Sequence, residues 1–127
     1  MTSQPDTRTA LIDRYFDAWN ETDAARRATF IRESHAQDVT YRDPLLRGDG
    51  HEGIDAMIRA VHERFPRHRF SRIGEVDGFA NHLRFSWALR TPEGETIVRG
   101  TDFGAVDRDE RLVAITGFLD EAPGLKP

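Results

Sequence analysis

The chain has 127 residues, 38% of them hydrophobic and 31% charged, with a net charge of −4 and no cysteine. It is sized for one domain with a single core and is too apolar for a disordered segment, while the missing cysteines exclude a disulfide framework, a thiolate nucleophile and a cysteine metal site. An acidic pI near 5.7 argues against nucleic acid or an anionic membrane as partner.

From the start, MTSQPDTRTA is polar and lacks a signal peptide's apolar segment, and no apolar run is long enough to span a bilayer, so a cytoplasmic location is expected. In TRTALIDRYFDAWNETD, Leu11, Ile12, Tyr15, Phe16 and Trp19 recur at the spacing of one helix face. Thr22 or Asp23 caps a shorter second helix through Phe30 and Ile31. HAQDVTYRDP then changes period: Val39 and Tyr41 alternate with polar residues as in a short strand, and Pro44 stops it. GIDAMIRAVHERF predicts a third helix with Ile54, Met57, Ile58, Val61 and Phe65 on one side, ended by Pro66.

From Phe70 onward the pattern is strands. HLRFSWALR puts Leu83, Phe85, Trp87 and Leu89 on one face, and TPEG and DRDER turn the chain before TIVRGTDFGAV and LVAITGFLD. Turns this short join antiparallel neighbours. The tail EAPGLKP is expected to fray. The result is a single α+β domain over residues 1–127, with a core of about 8–120 and tails at 1–7 and 121–127: a curved antiparallel or mixed sheet with three helices gathered on one face.

Several motifs fail on context. Gly48, Gly50 and Gly53 spell GxGxxG, with Glu75 downstream as a ribose-binding acid, but five residues including Pro44 separate them from the preceding strand, whereas a dinucleotide site needs them directly after a parallel strand. His51-Glu52 starts an HExxH that Asp55 breaks, and His35, His62, His68 and His82 share no ligand spacing. None of Ser3, Ser34, Ser71 and Ser86 sits in a nucleophile elbow.

Two acids inside apolar patterns are more informative. Alternation places Asp102 on one face with Val98 and Gly100, and Arg99 on the other. If that face is the concave one, Asp102 is buried without an arginine, and burial raises the pKa of a carboxyl group and leaves it able to donate a hydrogen bond. The mid-strand Gly100 is expected to mark a close approach by a ligand or another backbone. Asp43, ionised at a strand end, would be the second carboxylate of an acid–base pair; equally, Asp43-Pro44 is a turn signal, and Asp102 a strand acid bonded to a backbone amide or facing solvent.

DRYFDAWN in the first helix, YRDP before a loop, GHEGI opening the third helix, and GTDF, VDRDERL and GFLD near the end resemble, in order and spacing, the nuclear transport factor 2-like superfamily, and within it the SnoaL-like and ketosteroid-isomerase-like branch, from about Leu11 to Asp120. The resemblance implies a cone: a bent sheet wrapped around three helices, enclosing one apolar pocket, often as a dimer through the outer sheet face. It also implies ketosteroid-isomerase-like roles: Asp43 as general base, and Tyr15 and a protonated Asp102 as donors to an enolate oxygen. The large Trp19 and Trp87 and the charged Arg47 depart from a steroid site. A SnoaL-like polyketide cyclase would use Asp102 with His51 at the pocket mouth. The arginine–aspartate pair of limonene-epoxide-hydrolase-like members is not matched, because Arg99 and Asp102 face opposite ways.

The expected activity is therefore an isomerase or cyclase that shifts a proton next to a carbonyl in an apolar substrate, without metal or organic cofactor. Its wall is expected from Phe16, Trp19, Tyr41, His51, Met57, Phe85, Trp87, Val98, Ile115 and Leu119. The alternative is a non-catalytic ligand-binding or assembly module on the same fold. Ile97, Phe103 and Ala105 on the outer sheet face predict a homodimer.

Overall fold

The computed structural model describes residues 4–125, with side chains from Thr7 onward. Helix α1 spans Gln4–Asn20. Its apolar face buries Ile12, Tyr15, Phe16 and Trp19, one stripe of the 3.6-residue repeat. At its end the Asn20 side chain pairs with the Phe70 backbone as a strand would, donating from Nδ2 to the carbonyl at 3.0 Å and accepting the amide at 2.8 Å. Helix α2, Ala24–Ser34, is capped by Asp23, whose carboxylate accepts the Arg26 amide at 2.9 Å. Helix α3, Gly50–Arg64, buries Ile54, Met57 and Ile58.

The strands are β1 His35–Arg42, β2 Arg47–Asp49, β3 Arg69–Phe79, β4 His82–Arg90, β5 Thr96–Val106 and β6 Leu112–Glu121. They form one six-stranded sheet in the order β2-β1-β6-β5-β4-β3, antiparallel except where β1 runs parallel to β6. The three helices and this curved mixed sheet make the α+β cone expected from the sequence.

Two details differ from the sequence reading. The segment after Pro44, expected as a loop, contains β2, which folds back on β1 with Tyr41 opposite Gly48. It escapes notice because three residues are too few to show a period. The glycines of GDGHEG serve this turn: a Cβ on Gly48 would lie 2.9 Å from the Gly53 carbonyl oxygen, so strand and helix backbones meet where no side chain fits. The tail is also packed. Ala122 is buried and Leu125, whose amide donates to the Ala122 carbonyl at 2.9 Å, reaches the core, so only residues 126–127 of EAPGLKP, like 1–3 at the other end, lie outside the described residues.

The motifs that failed on context have structural work instead. Asp55, which breaks HExxH, accepts the buried Arg27 at 2.6 Å and Arg59 at 3.0 Å, tying α2 to α3. His62 Nε2 meets the Trp19 carbonyl at 2.7 Å and His51 Nε2 the His35 carbonyl at 2.8 Å. Among the described residues no three His, Asp or Glu side chains converge as metal ligands would, and no helix is long and apolar enough to cross a membrane.

Candidate active site

Asp102 sits in mid-sheet, opposite Phe85 on β4 and Gly117 on β6. Alternation along β5 turns Val98, Gly100 and Asp102 inward and Arg99 outward, where Arg99 pairs with Glu121 at 3.0 Å. Asp102 is 2% exposed and has no cationic partner among the described residues. Instead the Tyr15 hydroxyl donates to its Oδ2 at 3.2 Å and the Trp87 indole N–H to its Oδ1 at 3.0 Å. Burial pushes the carboxyl up to about 7; the Trp87 and Tyr15 hydrogen bonds oppose the rise, and Asp43 and Asp120 add to it. The group therefore stands near the midpoint of its titration at neutral pH. Tyr15 is held neutral, raised well above the ordinary phenol range by burial first and by the neighbouring Asp102 second.

Trp87 reaches Asp102 because of Gly100. The two residues are directly opposed on β4 and β5, and a Cβ on Gly100 would collide with two carbons of the indole ring. The mid-strand glycine thus admits a tryptophan side chain and also the close backbone expected from the sequence, since the Phe118 carbonyl oxygen would lie 2.9 Å from that Cβ. Trp87 is more than wall, since its N–H fixes the carboxylate.

Asp43 lies just past the end of β1, half-buried. Its Oδ1 accepts the backbone amides of Leu45 and Leu46, both at 2.8 Å, while its own amide donates to the Leu46 carbonyl at 3.0 Å. This is the Asp-Pro turn of the sequence reading. Its Oδ2 accepts the Tyr41 hydroxyl at 2.6 Å. A carboxylate offers about four lone pairs, two on each oxygen, so Oδ1 is filled and Oδ2 keeps one free. Tyr41, like Tyr15, is raised well above the ordinary phenol range, chiefly by burial. Between the two acids lies Gly117: a Cβ there would be 2.7 Å from Asp102 Oδ1, 3.3 Å from the Asp43 Cβ and 3.3 Å from the Tyr41 hydroxyl oxygen. The missing side chain leaves both carboxylates facing one space.

That space is an apolar cavity of about 70 Å³. Tyr15, Asp43 and Asp102 line it together with Phe16, Trp19, Tyr41, Trp87, Val98 and Leu119. Four residues expected on the wall lie elsewhere. Met57, Phe85 and Ile115 are buried in the surrounding core, Phe85 edge-on to Tyr15 with centroids 5.4 Å apart, and His51 sits in a separate surface hollow between α2 and α3. Strand alternation turns Phe85 and Ile115 inward and helical spacing does so for Met57, but facing inward does not select core from cavity. The sequence reading missed Leu45 and Leu46 from the turn, Phe70 and Leu89 from β3 and β4, and Leu125 from the tail, and it placed Val61 and Phe65 on the buried side of α3 without assigning them to the wall. The signal for the α3 pair was present: they extend the Ile54–Met57–Ile58 stripe toward the open end of the cone.

A second buried titratable group adjoins Tyr15. His35 is fully buried, its Nδ1 is 2.9 Å from Ser34 Oγ, and its Nε2 has no hydrogen-bond partner among the described residues. Burial, reinforced by nearby His51, lowers it to about 3, so the imidazole is neutral.

The SnoaL-like domain model matches residues 12–115. No match is found among curated proteins. Among solved structures, a candidate isomerase of the SnoaL-like family from Agrobacterium tumefaciens str. C58 is 38% identical, with a TM-score of 0.87 over 91% of this chain and 98% of that one. A candidate SnoaL-like polyketide cyclase from Jannaschia sp. CCS1 shares the fold at 16% identity, TM-score 0.74, over 94% and 90% of the two chains. An NTF2-like protein from Exiguobacterium sp. 255-15 does so at 19% identity and TM-score 0.70, over 88% and 99%. With most of its length covered by the family model, and with the cone and its inward acids in place, the chain belongs to the SnoaL-like family of the nuclear transport factor 2-like superfamily.

Proposed function

We propose that the protein is an acid–base enzyme, an isomerase or cyclase that moves a proton next to a carbonyl in an apolar substrate. The observation that carries this reading is one apolar cavity holding two carboxylates in opposed settings: Asp43 half-buried with three donors on it, and Asp102 buried and pushed up to about 7.

In this reading the free lone pair of Asp43 Oδ2 takes the proton from the carbon beside the carbonyl, and the C–H electron pair moves toward the carbonyl oxygen. The developing oxyanion is met by Tyr15, which Asp102 supports from behind. When Asp102 carries its proton, the 3.2 Å contact with Tyr15 runs the other way. Asp102 O–H then donates to the Tyr15 oxygen, and the Tyr15 hydrogen is free to point at the substrate. Trp87 holds the other carboxyl oxygen and fixes the orientation of the acid. Asp43 next returns the proton to a different carbon, completing an isomerisation, or the enolate carbon attacks a second carbonyl, whose oxygen takes the proton back from Asp43, completing a cyclisation. A candidate isomerase and a candidate cyclase among the similar structures are consistent with either ending.

The competing reading is a binding or assembly module without catalysis, favoured by the completed turn at Asp43 and by a cavity of only about 70 Å³. Deuterium exchange separates the two. In D2O, the wild type is expected to exchange the hydrogens beside the carbonyl in members of a panel of small ketones and enones. Asp43→Asn is expected to slow this by roughly 100- to 10,000-fold, the usual contribution of a positioned base. Exchange that is undiminished in the variant, or absent across the panel, refutes the enzyme reading.

A further inference from the structure

The inner cavity of about 70 Å³ is small against the ~300–1,000 Å³ of ordinary ligand pockets. Immediately outside it lies a hollow of about 360 Å³. Leu45, Leu46, Val61, Phe65 and Leu125 border both spaces, so a partition one side chain thick divides them. Its ends are lightly held: Leu45 is 47% exposed, and Leu125 follows a glycine with φ +77° in a turn closed by one backbone hydrogen bond. With Leu45 and Leu125 displaced, the 70 and 360 Å³ spaces join to about 430 Å³, within the ordinary range.

Charge is divided between the chambers. Among the described residues, Asp43 and Asp102 are the only charged side chains on the inner one, and Arg64 is the only one on the outer. Arg64 is exposed at the end of α3, makes no ion pair among the described residues, and holds its guanidinium 5.6 Å from the ring centroid of Phe65, itself a partition residue. A ligand filling both chambers therefore meets hydrogen-bonding acids at one end, apolar walls along its length and a cation at the other. Guanidinium binds a carboxylate through two parallel hydrogen bonds.

We propose that the two chambers form one site for an elongated organic monoanion, with its carbonyl end against Tyr15 and Asp102 and its carboxylate on Arg64. The proposal rests on the proton-transfer reading and adds the substrate's charge and polarity, making Arg64 a specificity-determining residue.

The test is calorimetric titration at pH 7.5 with a homologous series of 4-hydroxyphenyl-alkanoates and their methyl esters, the phenol standing in for the enolate. In the wild type at least one acid is expected to bind about five- to tenfold tighter than its ester, the size of one exposed charge-assisted contact. Arg64→Gln should abolish that preference while leaving the ester's Kd within about twofold, and Asp102→Leu, which has no hydrogen-bonding atom to offer Tyr15, should weaken acid and ester alike. Acids and esters that bind equally throughout, or a preference that survives Arg64→Gln, overturn the proposal while Asp102-dependent phenol binding still upholds the inner site. Binding indifferent to Asp102→Leu, or no binding by any member, overturns the proton-transfer reading of the site and this proposal with it.

Discussion

Replacing Asp102 with asparagine should make the protein more stable at neutral pH, although the residue is in the core. Asparagine is nearly isosteric with the protonated acid. Its carbonyl can accept the Trp87 N–H, and its amide can donate to the Tyr15 oxygen. The folded carboxyl titrates at about 7 against an ordinary 3.8. A raised acid contributes its full share of stability below its unfolded pKa and loses that share as pH rises through the folded one. At 1.36 kcal/mol per pH unit, the loss over that interval is about 4 kcal/mol. The unfolding free energy of wild type minus variant is thus expected to be level below pH 4, to fall by about 1.4 kcal/mol per unit toward pH 7, and to level again, with the variant the more stable form above it. His35 works in the opposite sense: its folded value of about 3 lies below the 6.5 of the unfolded group, so its contribution is present above 6.5 and is lost as pH falls toward 3. In the wild type the two slopes largely cancel between about pH 4 and 6.5, whereas in Asp102→Asn the His35 slope stands alone and stability falls with acid. Urea denaturation followed by circular dichroism in steps from pH 4 to 8.5 measures both curves. A wild-type minus variant difference constant within about 0.5 kcal/mol from pH 4.5 to 7.5 would refute the reasoning, because a buried acid that does not feel its burial cannot be the proposed donor.

Gly100→Ala should cost about 1–3 kcal/mol, the usual penalty for overpacking, because its methyl displaces the Trp87 ring; Asp102 then loses its indole donor, which phenol binding would report as weakened affinity. The imidazole resonances of His35 should not shift between pH 7 and 4.5, and movement near pH 6.5 would mean that the ring meets water. Homodimerisation is expected through the outer sheet face, where Phe103 and Phe118 are 46% and 53% exposed and pack edge to face at 5.9 Å. A monomeric mass by light scattering at micromolar concentration removes that expectation, and Phe118→Glu should produce such a mass if it holds.

Local regularity made much of this protein legible before any coordinates. Helical spacing in DRYFDAW and alternation in TIVRGTDF report which side of an element meets water, because burial acts residue by residue along one repeat. That suffices for three helices, for the meander, and for Asp102 lying inward with Arg99 outward. Asp43 was legible only as two alternatives, and both its turn and its place beside the cavity are realised. Tertiary structure alone decided what repeats cannot carry. The donors on Asp102 come from residues 87 and 15 positions earlier in the chain, brought together by strand register and helix docking. Gly117 opens the space between the acids only because register sets it opposite Asp102. Whether an inward residue becomes core, as with Ile115, or cavity wall, as with Leu119, depends on where the cone closes, and closure is a property of the whole sheet rather than of any segment of it.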